Sequence, residues 1–176
     1  MGNFEVALMI GSESDYPIIE ESLKVLDKFS ISYKLTVASA HRTPERTERF
    51  IEFCESKGVK VFIVAAGAAA HLPGVVAAKT NLPVIGVPIA ATALNGTDAL
   101  YSIVQMPGGI PVGTMAIGKA GAKNAAIFAC QIIALNNPQL QLKLNNFRVE
   151  MKNKIKEQSQ RLNIKNKNIF IDFDNN

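Results

Sequence analysis

The chain is predicted to form an α/β fold: a flavodoxin-like, doubly wound, three-layer structure built on a five-stranded parallel sheet, with an additional C-terminal helix. Two observations predict this class. Short apolar segments of strand length alternate along the sequence with segments of helical periodicity. Each connection between strands is long enough to hold a helix, and right-handed crossovers then place helices on both faces of a parallel sheet.

The predicted strands are five short segments in which most residues are apolar, as expected of strands covered by helices on both faces. In chain order they are 4–10, 32–37, 59–65, 83–87 and 112–117. The third segment is the densest in β-branched residues, which favour strands, and the fourth lies between two prolines.

The segments between these strands carry helix signals. Proline suits the first helical turn and marks the start of the first three helices, while Gly58 is a typical helix stop. The predicted helices are 16–29, a second running from Thr43-Pro44 to Gly58, then 72–80, 98–105 and 119–135.

The C-terminal part is predicted to be a polar helix over 139–162, separated from the previous helix by Asn137-Pro138. Residues 143–167 hold eight Lys or Arg against two Glu. Because this part has neither interleaved aromatic residues nor a nucleic-acid-binding motif, it predicts a solvated helix face and no nucleic-acid partner. With no repeat or linker in sight, we expect one α/β domain over 1–162 and a polar tail over 163–176.

The composition predicts a compact globular protein. Charged residues are 19%, hydrophobic residues 48%, and the net charge is +4. Cys54 and Cys130 match no metal spacing or disulfide framework, so we expect reduced thiols that are buried or half-buried. No segment is a membrane span, and no leader segment stands out, which predicts a soluble cytoplasmic protein without a membrane partner.

The polar and turn residues of interest follow the predicted strands, in segments 11–15, 38–44, 66–74 and 88–98. In open parallel sheets, ligands bind at the carboxyl ends of the strands. We therefore expect these four segments to converge and form one site.

His41-Arg42 gives the sharpest chemical indication. An imidazole is suited to proton transfer near neutral pH, and a guanidinium at a helix start can hold a phosphate. The alternative is a histidine that hydrogen-bonds a loop and an arginine that pairs with a surface acid.

The segment 11–15 joins a strand to a helix, where backbone N–H groups attract anions and Ser12 adds a hydroxyl donor. Asp15 would suit neutral hydroxyl groups such as those of a ribose. The alternative is that Ser14 or Asp15 only caps the helix.

Gly67 and its flanking alanines would let a ligand approach the backbone closely, and His71 could either orient this turn or take part in the chemistry. The sequence contains neither a Gly-x-Gly-x-x-Gly nor a Walker motif, and it has no cluster with metal-ligand spacing. We therefore expect no metal and no cofactor.

Five ordered motifs together resemble one enzyme family over about 6–148. The motifs are Gly11-Ser12-x-Ser14-Asp15, Ser39-Ala40-His41-Arg42-Thr43-Pro44, Ala69-Ala70-His71-Leu72-Pro73-Gly74, 101–107 and 109–112. The family is that of the class I N5-carboxyaminoimidazole ribonucleotide mutases, which includes the catalytic subunit of phosphoribosylaminoimidazole carboxylase. The resemblance implies a metal- and ATP-independent isomerase of IMP biosynthesis, which moves a carboxylate reversibly from N5 to C4 of the aminoimidazole ring.

The resemblance also implies roles and an assembly. His41 would be the catalytic acid/base, Arg42 would hold phosphate, and sites would lie at the subunit junctions of a homo-octamer. The candidate substrate-binding residues, taken from the matching motifs, are Ser12, Asp15, Ser39, Arg42, Ala66, Gly67, Ala69, His71 and Leu72.

One position departs from the family pattern, which usually has two adjacent glycines where this chain has Gly67-Ala68. If Ala68 needs a positive φ, the turn is strained; if not, only the pocket volume changes. Two other functions stay open: direct carboxylation of aminoimidazole ribonucleotide with free CO2, and a non-catalytic flavodoxin-like module that carries FMN or a phosphoryl group. The third strand ends without the aspartate that a phospho-receiver needs.

Overall fold

Five parallel strands form the central sheet of the computed structural model, which describes residues 2–165. The strands are β1 (Val6–Ile10), β2 (Tyr33–Val37), β3 (Val61–Gly67), β4 (Val84–Ile89) and β5 (Gly113–Thr114). Their order in the sheet is β2-β1-β3-β4-β5, and all neighbouring pairs are parallel. This order confirms the predicted doubly wound, flavodoxin-like class.

The described part of the chain contains six helices. They are α1 (Tyr16–Phe29), α2 (Pro44–Ser56), α3 (Leu72–Ala77), α4 (Thr97–Val104), α5 (Lys119–Ala134) and α6 (Pro138–Lys165). A short 3₁₀ turn, Glu13–Asp15, precedes α1. The predicted helices therefore all exist, and the first has the predicted bounds.

The helices cover both faces of the sheet. On one face, side chains of α2, α3 and α4 pack with Met9 and Phe62 in a single buried cluster. On the other face, α1 and α5 are tied together by the buried Ser22, whose hydroxyl donates to the Ala122 carbonyl oxygen at 2.6 Å. The sheet is consequently sandwiched, which explains why its central strands are apolar on both faces.

The predicted fifth strand, 112–117, is wrong in extent, since only Gly113 and Thr114 pair with β4. β5 has a partner on one side only, and Pro111, just before it, has no N–H to donate to the sheet. The chain still runs beside β4, because the Met115 N–H donates to the Gly86 carbonyl oxygen at 2.9 Å.

The third strand and third helix also differ from their predicted bounds, and both changes bear on the site. β3 begins at Val61 and continues to Gly67, because residues 59–60 still belong to the connection from α2. α3 ends at Ala77 and not at residue 80, because the following N–H groups bond to the Gly74 and Val76 carbonyls and close the last turn. Gly67 is therefore the last residue of a strand and not the first of a turn.

The chain divides into two units, Met1–Ile133 and Ala134–Asn176. In the second unit, α6 begins with the Asn137 side-chain oxygen accepting from the Leu140 N–H at 3.1 Å. It continues to Lys165, three residues beyond the predicted end at 162. The rest of the predicted tail lies outside the described residues, and a single domain over 1–162 stays a prediction.

Both cysteines are buried and free, as predicted. Burial raises the pKa of the Cys54 and Cys130 thiols to about 12, so that neither is a reactive thiolate at neutral pH. None of the helices within residues 2–165 has the length and apolar character that a membrane crossing requires.

Candidate active site

A cavity of about 350 Å³ lies where β1, β2 and β3 end. It is lined by the segments that follow these three strands, as expected for an open parallel sheet. All of the predicted catalytic and substrate-binding residues line it: Ser12, Asp15, Ser39, His41, Arg42, Ala66, Gly67, Ala69, His71 and Leu72.

The fourth predicted segment, 88–98, contributes only Ala91 to the lining. The rest of this segment does not reach the cavity, so its predicted convergence is largely wrong. The reason is the strand order: the cavity is centred over β1, and β4 is separated from β1 by β3.

The first segment folds into the 3₁₀ turn through its own side chains. Ser12 accepts hydrogen bonds from the Ser14 N–H at 3.4 Å and the Ser14 hydroxyl at 3.0 Å, and Asp15 Oδ2 accepts from the Ser12 N–H at 3.1 Å. Ser12 and Asp15 thus form a reciprocal capping box for the 3₁₀ turn. The capping alternative is wrong for α1 itself, because Asp15 at its N-cap makes no side-chain capping hydrogen bond. Asp15 is only 6% exposed, and this burial raises its pKa even though backbone N–H donors lower it.

Hydrogen bonds made by Ser39 hold the second segment in its conformation. The Ser39 N–H donates to the Thr43 hydroxyl at 2.9 Å, and the Ser39 hydroxyl accepts from the backbone N–H and the Nε of Arg42, both at 3.3 Å. A further guanidinium nitrogen of Arg42 donates to the Gly11 carbonyl oxygen at 3.2 Å, which links the first two segments. Among the described residues no carboxylate pairs with Arg42, so the surface ion pair considered from the sequence is absent there.

The third segment holds Ala68 in a left-handed backbone conformation. Its φ is +52°, and Ala70 follows with +34°, so both alanines lie in the left-handed region that glycine favours. Gly67 itself has no room for a side chain, because a Cβ there would lie 2.6 Å from the Ala91 Cβ. The turn is therefore strained at Ala68, as the sequence predicted for a positive φ.

The two histidines meet at the cavity. His41 Nε2 and His71 Nδ1 are 2.6 Å apart, and the rings are nearly perpendicular, at 75°. One of these nitrogens must carry the shared hydrogen and the other must be bare, so the pair fixes a complementary choice of ring tautomers. His71 directly precedes α3 and makes no capping hydrogen bond with its side chain.

Several lining residues were not among the predicted candidates: Gly11, Ser14, Ala40, Ala70 and Ala91. Ser14 could have been found, because it belongs to the same turn motif as Ser12. The alanines carry no chemical signal, since a methyl group becomes part of a site only through the tertiary fold.

The cavity combines two kinds of surface. Hydroxyls, the Asp15 carboxyl and the Arg42 guanidinium come from the first two segments, whereas alanine methyl groups and backbone dominate the third. Such a cavity can hold a phosphorylated, polar molecule at one side and a small uncharged group at the other. Within residues 2–165 no three His, Cys, Asp or Glu side chains are grouped in a way that could hold a metal ion.

Comparison with known proteins identifies the family of the chain. Residues 5–154 match the family described as AIR carboxylase, which covers most of the chain. The chain belongs to the AIR carboxylase family. This membership confirms the resemblance inferred from the five motifs.

Relatives in this family are similar over most of their length. The N5-carboxyaminoimidazole ribonucleotide mutase of Pyrococcus horikoshii is 48% identical, covering 89% of this chain and 88% of the relative. The enzyme of the same name from Escherichia coli K12 is 50% identical, covering 81% and 85%. The crystal structure of Treponema denticola PurE, 28% identical, has a TM-score of 0.82 over 89% of this chain and 97% of that one.

As a member of the AIR carboxylase family, the chain is an enzyme. The non-catalytic flavodoxin-like module considered from the sequence is therefore disfavoured, although the fold alone would have allowed it.

Proposed function

We propose that this AIR carboxylase family member is an N5-carboxyaminoimidazole ribonucleotide mutase of IMP biosynthesis, with His41 as its proton-transfer residue. The observation that carries the proposal is the meeting of the two histidine motifs and the Ser12 turn around one cavity. Relatives that carry this name are about half identical to the chain over most of its length, which supports the same reaction.

The nucleotide phosphate binds to Arg42 and the 3₁₀ turn. Arg42 uses part of its guanidinium to hold the Gly11 carbonyl oxygen and the Ser39 hydroxyl, and the remaining N–H groups are available for an anion. Ser12 and Ser14 add hydroxyl groups at the start of α1. Asp15 shapes this turn and faces the ribose, because a carboxylate would repel a phosphate.

The reaction is a carboxyl transfer in two steps. In the first, the bond between N5 and the carboxyl carbon breaks, its electron pair stays on N5, and a proton from His41 completes the amine and releases CO2. In the second, ring carbon C4 forms a bond to that CO2, and His41 removes the proton from C4 so that the ring regains aromaticity. One proton thus moves from C4 to N5, and His41 returns to its first state.

The walls of the cavity serve both steps by limiting water. The backbone of Ala66, Gly67 and Ala69 lies against the ring and the carboxyl group, because small residues let a ligand approach closely. Leu72, at the start of α3, adds an apolar side chain. A pocket of this kind keeps CO2 near the ring until it is recaptured.

His71 supports His41. It contacts His41 Nε2 at 2.6 Å, so it orients the imidazole and restricts its tautomer. His71 is a positioning residue in this proposal, and His41 transfers the proton to and from the nucleotide. Neither role requires a metal ion, ATP or another cofactor.

The enzyme works in the cytoplasm as a homo-octamer with active sites at subunit junctions. Large apolar side chains are exposed on the first unit, including Leu94 at 62%, Tyr101 at 60% and Val104 at 48%. Exposed apolar side chains of this size favour association with another subunit. Sedimentation analysis should give an octamer mass, and a stable monomer would contradict the assembly.

The reaction itself is tested by supplying each substrate in turn. N5-carboxyaminoimidazole ribonucleotide should be converted to the C4-carboxylated product, followed by ultraviolet absorbance. Aminoimidazole ribonucleotide with bicarbonate should be converted far more slowly. The opposite preference would make the chain a CO2-dependent carboxylase, the alternative left open by the sequence.

A further inference from the structure

Thr43 lies at the N-cap of α2 but does not use its hydroxyl to cap this helix. A threonine at such a position ordinarily accepts a hydrogen bond from an N–H group of the first helical turn. The Thr43 side chain makes no capping bond of this kind, and the helix begins at Pro44, which suits the first helical position. The hydroxyl of Thr43 therefore serves a part of the structure other than α2.

The Thr43 hydroxyl closes the loop that carries His41. It accepts a hydrogen bond from the Ser39 N–H at 2.9 Å and donates one to the Ser39 carbonyl oxygen at 3.2 Å. The Thr43 N–H donates to the same carbonyl oxygen at 2.9 Å. Three hydrogen bonds thus join the two ends of the loop 39–43, and His41 lies at its middle.

Both ends of this loop are tied to the rest of the fold. At the first end, the Ala38 N–H donates to the carbonyl oxygen of Ile10, the last residue of β1, at 2.9 Å. At the second end, the buried Thr47 donates to the Thr43 carbonyl oxygen through its N–H at 3.1 Å and its hydroxyl at 3.3 Å. The base of the loop is therefore fixed, whereas His41 is exposed to the cavity. The bonds across the base determine where His41 stands.

We propose that Thr43 is a positioning residue, whose hydroxyl closes the loop 39–43 and so places His41 for proton transfer to and from the nucleotide. The inference rests on the proposed mutase function and deepens it. A proton-transfer residue must lie within about 3 Å of the atom it serves, so that a small displacement of the imidazole lowers the rate steeply.

Binding of the phosphate should depend less on Thr43. The Arg42 guanidinium also donates to the Gly11 carbonyl oxygen at 3.2 Å, outside the loop 39–43. Attraction between a guanidinium and a phosphate also changes less with a small displacement than proton transfer does. Loss of the Thr43 hydroxyl should accordingly lower kcat more than it raises KM.

The test is the steady-state kinetics of full-length variants with N5-carboxyaminoimidazole ribonucleotide. Thr43→Val keeps the shape of the side chain and the backbone hydrogen bond but removes both hydroxyl bonds, and Thr43→Ser keeps the hydroxyl. The matched control, Thr47→Val, also removes a threonine hydroxyl, but its partner keeps the bond from the Thr47 N–H. Circular dichroism checks the folding of each variant, and Thr43→Ala takes the place of Thr43→Val if the valine variant does not fold.

Thr43→Val should lower kcat about tenfold with KM within about threefold of the wild type, because two hydrogen bonds that place the loop are lost. Thr43→Ser and Thr47→Val should keep kcat within about threefold of the wild type. Wild-type kcat in Thr43→Val, or an equal loss in Thr43→Val and Thr47→Val, would overturn the inference. A serine variant as slow as the valine variant would overturn it too.

Combination with His41→Asn separates positioning from a merely structural role. Once the imidazole is gone, Thr43 has no proton-transfer group to place, so Thr43→Val should leave the residual rate of His41→Asn unchanged. The same fractional loss in both backgrounds would show that Thr43 does not act through His41. Any of these contrary results leaves the mutase function standing, whereas no product from the wild-type enzyme would overturn that function, and this inference with it.

Discussion

His41 Nε2 lies 2.6 Å from His71 Nδ1, although the two residues are 30 positions apart in the chain. They follow β2 and β3, the two strands that flank β1 in the sheet. Their contact therefore lies at the edge of the sheet where β1 also ends, in the cavity that Ser12 lines. The topology alone brings the two histidine motifs to one place, because parallel strands end at the same edge.

The contact predicts unequal roles for the two histidines. Replacing His71 with alanine removes one hydrogen bond to His41, and such a bond is worth about 0.5–1.5 kcal/mol. The expected result is a loss of kcat of about two- to tenfold with a small change in KM, measured by steady-state kinetics. If His71→Ala were as inactive as a His41 variant, the pair would have to act as one catalytic unit.

Arg42 should act mainly through substrate binding. Removing a charge-assisted phosphate contact with Arg42→Ala is expected to raise KM by about ten- to a hundredfold, with a smaller effect on kcat. The matched control is Arg46→Ala, since Arg46 bonds to the Val37 carbonyl oxygen and the Thr36 hydroxyl and does not line the cavity. An unchanged KM in Arg42→Ala, or an equal rise in both variants, would refute the phosphate role.

The left-handed conformation of Ala68 predicts a stabilising substitution. Ala68→Gly relieves the steric cost and should raise the free energy of unfolding by about 0.5–1 kcal/mol, after the loss of chain entropy is subtracted. Ala78 has a φ of −75°, so Ala78→Gly should lower it by about 0.5–1 kcal/mol. Urea unfolding at one protein concentration measures both, and a destabilised Ala68→Gly would contradict the strain.

The contributions of two aspartates to the free energy of unfolding should change in opposite directions as pH rises. Burial raises the pKa of Asp15. The contribution of Asp15 to the free energy of unfolding is therefore fully present below the ordinary aspartate pKa and is lost as pH rises through the raised value. The hydrogen bond from Thr92 lowers the pKa of Asp98, whose contribution is present above the ordinary value and is lost as pH falls.

Substitution by asparagine isolates these contributions. Relative to the wild type, Asp15→Asn should gain stability as pH rises from about 4 to 7, whereas Asp98→Asn should lose stability as pH rises from about 2 to 4. Unfolding by urea at several pH values gives the two trends. Parallel trends in the two variants would show that burial does not govern Asp15.

Much of the fold and site follows from local patterns in the sequence. The helix over 16–29 has the predicted bounds because its starting proline and its apolar periodicity are both local signals. The candidate residues of the first three segments meet because strand ends in a parallel sheet share an edge. The segments that carry Ser12, His41 and His71 could thus be placed at one site from the sequence alone.

What the sequence did not predict depends on tertiary context. The order of the strands places β4 too far from β1 for the segment 88–98 to close the cavity, and only Ala91 reaches it. β5 is short because it is an edge strand, a property that depends on its neighbours. The sequence could not determine the sign of φ at Ala68, because it depends on how β3 connects to α3.

The most direct test of the central claim, proton transfer by His41, is the turnover of N5-carboxyaminoimidazole ribonucleotide by His41→Asn. A positioned acid/base supplies about 10²- to 10⁴-fold in rate, so the variant should lose activity by that factor while keeping the circular dichroism spectrum and oligomer mass of the wild type. Turnover within about tenfold of the wild type would contradict the assignment of His41 and the mechanism built on it.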